Sequence, residues 1–413
     1  MIGEFCSCGW RWLLSVSLFM SGIFWPVAMA DGTEPQMYDQ LALAGARIAW
    51  RVTLPLRMTA SIKSYHLVEG YIYAIGVDGK VRTVRADTGD HIWTKPLAEP
   101  FETLWPPVSY HDSEMDAVVF TRIGDVLFLD SKTGEELKRY KLRAPTVGAV
   151  AVSGDTIYAA VVGARVYNYS ISRQIPLWQL STTAPINLAP ICKSDQADKD
   201  QLFVADSKGQ VASVSGETKK LRFAQKIDGE PRGWLTTDTD RLYVATADGS
   251  LHVLDRRTGD PIRRSIHLSK PPDGGPVVTA DAVYQAVEGG GLYRLPLKSD
   301  SSVRFDARSK RFLADWPHHI VQLRTDGKIA LVNRRAGKES VVLDIGEVAD
   351  GISNLWNEAV IVYSAQGELR CLQPIGSKSL TLADFKPAKA VPETKPAVQQ
   401  PDQEVEKEAS PSE

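Results

Sequence analysis

Between Ile48 and Gly376 the apolar positions fall in short β-rich runs that are broken, pair by pair, at a glycine-centred turn. The clearest pairs are Tyr71-Ile72-Tyr73-Ala74 with Val81-Arg82-Thr83-Val84 around Asp78-Gly79, and Arg241-Leu242-Tyr243-Val244 with Leu251-His252-Val253-Leu254 around Asp248-Gly249. Gln201-Leu202-Phe203-Val204 before Lys208-Gly209 and Ala359-Val360-Ile361-Val362 before Gln366-Gly367 repeat the pattern. Asp-Gly between two such runs predicts a tight hairpin, because glycine supplies the positive φ that the turn needs. The turn glycines Gly79, Gly124, Gly163, Gly209, Gly249, Gly290, Gly327 and Gly367 recur at intervals of 37 to 46 residues. Periods of about 40–45 residues with four strands each are the signature of propeller blades. No segment in this region keeps a 3.6-residue period, which excludes helical repeats of similar length. The pattern therefore predicts an all-β chain whose residues 45–377 form an eight-bladed β-propeller of four-stranded antiparallel blades.

The ends of the repeat predict how the ring closes. Ala46-Arg47-Ile48-Ala49-Trp50-Arg51-Val52 reads as a blade-final strand standing before the first complete blade. The last hairpin, from Ala359 to Leu372, lacks such a strand. The N-terminal strand is therefore expected to complete blade 8 and leave no free sheet edge.

A second landmark follows the hairpin glycine by nine to ten residues: Thr88-Gly89, Thr133-Gly134 and Thr258-Gly259, with Asp130 and Asp255 leading two of them. Asp and Thr side chains cap free amides in such a turn and Gly takes the left-handed position. Trp93 stands four residues after Gly89, and Trp50 and Trp178 hold the same place in their own units. These three tryptophans are expected to lie across neighbouring blades, where an aromatic ring buries a large area.

These segments carry a resemblance. Val84-Arg85-Ala86-Asp87-Thr88-Gly89-Asp90-His91-Ile92-Trp93 and Leu127-Phe128-Leu129-Asp130-Ser131-Lys132-Thr133-Gly134 resemble the repeat of the pyrroloquinoline quinone (PQQ)-type propeller family. That family holds eight-bladed quinoprotein dehydrogenases and also non-catalytic proteins similar to BamB, the propeller subunit of the bacterial outer-membrane barrel-assembly machinery. The chain departs from the pattern at Arg85, where Asp is expected, and at Lys138 and Arg263, where Trp is expected. Residues 269–345, blades 6 and 7, show no Thr-Gly turn.

The two termini differ from the repeat. Leu13 to Ala28 is apolar and is followed by Ala28-Met29-Ala30, the small-x-small pattern of a signal-peptidase site. Residues 1–30 are expected to be an export signal cleaved after Ala30, and residues 31–44 a linker. Cys6 and Cys8 both precede the apolar core and no cysteine stands at the cleavage point, so a lipid anchor and a membrane span are not expected after cleavage. From Lys378 to Glu413 the chain is rich in Pro, Glu and Lys and poor in aromatic and β-branched residues, which predicts a disordered tail.

Composition narrows the function classes. The chain has 413 residues and a formal net charge of −2, and its tail holds five lysines against seven carboxylates. Residues 31–377 balance basic against acidic side chains and so lack the excess of basic groups that nonspecific nucleic-acid binding requires. By resemblance, a quinoprotein would need carboxylates and an amide around Ca²⁺, a catalytic Asp, an aromatic floor and often a vicinal Cys pair. Outside the leader the only cysteines are Cys192 and Cys371, which the repeat puts in blades 4 and 8 on opposite sides of the ring. His318-His319 are adjacent and so point to opposite faces of a strand, and Gly289-Gly290-Gly291 precedes a strand, not the helix that a phosphate cradle needs. No catalytic, metal or cofactor residue is assigned.

Four tryptophans lie outside the blade-end position: Trp105, Trp234, Trp316 and Trp356. Each is expected near the central channel or on one rim, which makes them the candidates for binding a partner. The sequence thus points to an exported, non-enzymatic scaffold, monomeric within a complex, that binds envelope proteins in the bacterial periplasm. Outer-membrane protein assembly is the specific version that the resemblance implies. A PQQ- and calcium-dependent dehydrogenase or small-ligand-binding propeller is the alternative.

Overall fold

The computed structural model describes residues 33–386 apart from 57–60, 114, 195–199, 300–301 and 306–307. The described strands form eight four-stranded antiparallel sheets. Blades 1 to 7 span 62–96, 108–141, 151–181, 191–226, 236–267, 277–304 and 309–343. Blade 8 takes three strands from 350–374 and its outermost strand from the other end of the chain, β1 (Ala46–Thr53). In that closing pair Trp50 stands opposite Cys371 and Val52 opposite Leu369. The ring is therefore closed by the N-terminal strand, as its hydrophobic pattern required.

Burial follows position within a blade. The second strand of blade 1, Tyr71–Gly76, is buried at every residue, because both of its faces lie against neighbouring blades. The outermost strand of blade 3, Pro176–Ser181, alternates between half-buried and exposed. This is why the middle strands read as continuous apolar runs.

The turns from third to fourth strand show how the blades are joined. In six blades the turn closes with one bond, from the N–H of a left-handed residue to the carbonyl four residues earlier. The pairs are Gly89 to Arg85, Gly134 to Asp130, Gln174 to Ser170, Lys219 to Ser215, Gly259 to Asp255 and Gly337 to Asn333. Blade 7 has no Thr-Gly pair, yet Gly337 closes the equivalent turn. There Asn333 Oδ1 accepts the N–H groups of Arg335 and Ala336, as Asp130 Oδ1 accepts those of Lys132 and Thr133.

A ring from the preceding blade lies on three of the glycines. A Cβ at Gly89 would stand 2.7 Å from Trp50, at Gly134 2.6 Å from Trp93, and at Gly259 2.3 Å from Phe223. Phe223 thus does the work of a docking tryptophan. The indoles of Trp50, Trp93 and Trp178 also donate to the second carbonyl of the next blade's turn, Ala86 O at 2.9 Å, Ser131 O at 3.1 Å and Gly216 O at 2.9 Å.

The departures from the repeat keep this bond. Lys138 Nζ donates to Ile171 O, the equivalent carbonyl of blade 3. Behind Phe223, which has no donor, Gln201 Nε2 reaches Arg256 O at 2.8 Å, and at the next junction Arg241 Nη1 reaches Leu297 O at 2.9 Å. Blades 6 and 7 are joined differently. Asp281 accepts from Arg294 at 2.9 Å and from Arg334 at 3.0 Å, beside a Tyr284–Phe312 stack at 4.3 Å.

Both boundary expectations are corrected where the chain is described. Residues 33–43 are not linker but a helix, α1 (Thr33–Leu43), whose Leu41 is buried and whose Met37 packs beside it on blades 7 and 8. Two apolar residues four apart share one helix face, and that small stripe is enough to dock it. Nor does the chain leave the fold at Lys378. Leu380, Leu382 and Phe385 pack on the propeller, with Phe385 fully buried. The export signal, with Ala28 and Ala30, and the tail beyond Lys386 lie outside the described residues.

Two substitutions probe the junction in opposite directions. Gly134→Ala puts a methyl into Trp93 and a left-handed φ on a non-glycine residue, and is expected to destabilise by at least about 2 kcal/mol. Lys138, not an aromatic residue, holds the docking position of the blade before Gln174, whose φ is 57°. Gln174→Gly is therefore expected to be neutral or to stabilise by up to about 1 kcal/mol. Chemical denaturation checks both.

Candidate partner-binding surface

A four-stranded meander sorts its connections onto two faces. The Asp-Gly hairpins and the loops that cross from blade to blade share one, here the hairpin face. The turns from first to second and from third to fourth strand share the other, the Thr-Gly face. Of the four candidate tryptophans, Trp105 and Trp234 lie in crossing loops on the hairpin face. Trp316 and Trp356 lie in first-to-second connections on the Thr-Gly face. They do not share one rim, because the inner strand runs between the two positions.

The crossing loops are held firmly. Those entering blades 2 to 6 each make a β-bridge to the end of the second strand of the blade they enter: Leu104 to Arg122, Thr146 to Val161, Ile186 to Asp206, Pro231 to Thr246 and Pro272 to Val287. Beyond each bridge the chain breaks before the inner strand starts. Breaks of adjacent blades touch, and small residues permit it: a Cβ on Gly148 would be 3.2 Å from Ala189, and one on Gly233 2.4 Å from the Gly274 backbone.

Trp234 occupies the break entering blade 5. Its ring lies across Gly274 and Gly275 of the next loop, where Cβ atoms would come within 2.9 and 2.6 Å. The ring is still 45% exposed. Asn187 donates to Glu230 at 2.7 Å and Arg232 pairs with Glu288, so neighbouring loops are also tied by polar contacts.

A third aromatic on this face was missed by sequence reasoning. Phe101, in the loop entering blade 2, is 87% exposed on a backbone with φ of 66°, and its N–H is held by Val77 O at 3.1 Å. Its context, Glu99-Pro100-Phe101-Glu102, has no repeat signal that would have marked it. Trp105 in the same loop is half-buried. Its backbone N–H bonds Thr121 O at 2.9 Å, and its indole nitrogen is buried without a hydrogen-bond partner among the described residues. Exposed aromatic rings on fixed loops are the kind of feature that anchors a protein partner.

The Thr-Gly face assigns its two tryptophans different places. Trp316 is buried, and its indole donates to Glu358 O of blade 8 at 2.8 Å, so it joins blades 7 and 8 and presents no surface. Trp356 is 46% exposed, with its backbone N–H on Asn354 Oδ1.

Among the described residues one group of three potential metal ligands lies close together, Glu69, His111 and Asp116. His111 Nε2 faces Glu69 at 2.6 Å and His111 Nδ1 faces Asp116 at 2.9 Å. One ligand atom from each lies within 4.8 Å of the others, with the two carboxylates facing different nitrogens of the imidazole. Cys192 and Cys371 stand in blades 4 and 8. Burial pushes the Cys192 thiol up to about 12 and the Cys371 thiol up as well. Neither is poised as a thiolate nucleophile. Among the described residues the two cysteines form no vicinal pair.

Fold and repeat together define an eight-bladed propeller of PQQ-type repeats. The family described as outer membrane protein assembly factor BamB matches residues 77–198 and 195–347, more than half of the chain, and the chain belongs to that family. No curated protein matches the sequence. Among solved structures, BamB from Moraxella catarrhalis is similar with a TM-score of 0.59 and 16% identity, over 81% of this chain and 99% of that one. The computationally designed Ika8 protein gives 0.60 and 14% over 78% and 98%. The Neurospora crassa Pan2 WD40 domain gives 0.54 and 10% over 81% and 97%. At these identities the likenesses speak for the fold.

Burial orders the tryptophans energetically. Trp316→Ala is expected to lower stability by about 3–5 kcal/mol through cavity formation and an unsatisfied carbonyl. Trp234→Ala should cost no more than about 1 kcal/mol. Urea unfolding of the two variants measures this, and the reverse order would contradict it.

Proposed function

We propose that the protein is an exported, non-enzymatic scaffold that binds protein partners in the bacterial cell envelope, in the periplasm, with outer-membrane protein assembly as the process it serves. The observation that carries this reading is the hairpin face. Phe101 and Trp234 are exposed there on loops fixed to their blades, in a chain of the BamB family. The chemistry of the remaining residues supports it. The two described cysteines stand apart in blades 4 and 8, and His111 is paired with both Glu69 and Asp116. Among the described residues no helix is long and apolar enough to cross a membrane. Partner recognition would rest on aromatic burial with a polar rim, since residues 31–377 carry as many acidic as basic side chains.

The test is capture from envelope extract with the wild-type chain and with a Phe101→Ala/Trp234→Ala variant. A specific protein that is retained by the wild type and lost from an equally stable variant is expected. Equal retention by both would remove the hairpin face from the account. A melting shift with PQQ and Ca²⁺ would favour the quinoprotein alternative instead.

A further inference from the structure

The Thr-Gly face holds a groove that the chain fills with its own C-terminal segment. After the third strand of blade 8 ends at Pro374, the chain turns back across blades 8 and 1. Phe385 enters the apolar cluster between those blades with Tyr65, Ala359 and Ile361. Leu382 crosses the first-to-second turn of blade 1 and joins the cluster between blades 1 and 2. Gly70 makes room for it, since a Cβ there would stand 2.9 Å from Leu382 Cδ2. Both polar ends are held: Asn357 Nδ2 donates to Asp384 O at 2.9 Å, and Lys386 Nζ lies 3.3 Å from Glu69 Oε2.

The segment keeps its shape by local bonds. Thr381 donates through both its N–H and its hydroxyl to Asp384 Oδ2, each at 2.8 Å, around a single turn of 3₁₀ helix (Leu382–Phe385). It adds no strand to any blade, and the ring is already complete without it. A side-chain-anchored segment of this kind, with its own fold and no ladder bonds, sits on the propeller as a bound peptide would.

We infer that this groove is a peptide-binding site and that the segment 380–386 is its detachable occupant in cis. The site takes a short segment with two apolar anchors spaced as Leu382 and Phe385, followed by a base that pairs with Glu69. An envelope partner presenting the same pattern would compete for it. This inference is independent of the hairpin face, because the groove lies on the opposite face.

The test uses the full chain as a Leu382→Ala/Phe385→Ala variant and a fluorescein-labelled peptide of residues 378–389 as probe. The variant is expected to melt cooperatively and to bind the peptide at least about tenfold more tightly than wild type, whose groove is already filled. A folded variant that binds the peptide no better than wild type would overturn the inference. If the variant does not fold, hydrogen exchange on the wild type decides. Amides of 380–386 exchanging about a hundredfold faster than those of 368–374 support detachment, and exchange in step with 368–374 overturns it.

Discussion

A carbonyl group at the head of the third-to-fourth strand turn faces the neighbouring blade, and the ring depends on a donor reaching it from there. Leaving such a group buried without a partner would cost about 1–3 kcal/mol at each junction. From the closing junction round to blade 6 the donor changes from tryptophan to lysine, glutamine and arginine while the acceptor position stays the same. Where the donor is an indole over a glycine, one residue supplies the hydrogen bond and covers the turn together. Where it is Lys138, the cover is absent, and a non-glycine residue, Gln174, can occupy the left-handed position. At blades 1 and 2 the glycine and the ring thus form one device, whereas at blade 4 Trp178 makes the same bond beside Lys219, a left-handed residue that is not glycine.

That coupling explains what could be read from the sequence. The Asp-Gly hairpins, their spacing and the unpaired N-terminal strand report on backbone conformation and apolar alternation, which are local and repeat eight times. They gave the blade count and the closure. Trp50, Trp93 and Trp178 were legible because an aromatic at a fixed offset from a turn glycine has few other uses. Phe223 and Gly337 were not, because Phe stands for Trp and Asn333-x-x-Ala336-Gly337 for Asp-x-x-Thr-Gly, substitutions that preserve the physics while changing the letters. Helix α1 and the segment 380–386 were missed for another reason. Each docks through two or three apolar residues in a polar stretch, and only the shape of the blade surface makes those residues sufficient.

The candidate site was less legible than the fold. Spacing marked four tryptophans as a set, but position along the inner strand divides them between two faces, and burial removes Trp316 from the surface. Phe101 carried no sequence signal, since an exposed aromatic on a loop obeys no period. Local strain at its φ of 66° is stored because the crossing loop is pinned on both sides of it. A rigid ring with aromatic side chains on one face and a filled apolar groove on the other has two separate places to engage proteins. Loop identity, not fold, decides what each of them binds.

All of this presupposes that the eight blades behave as one closed unit. Thermal unfolding of the chain with residues 44–54 deleted tests that most directly, because it removes β1, the Trp50 cover on Gly89 and the bond to Ala86 O together. The closed-ring account predicts loss of a single cooperative transition and a lower melting temperature for the entire propeller, blades far from the gap included. A deletion variant that melts like the intact chain would contradict it.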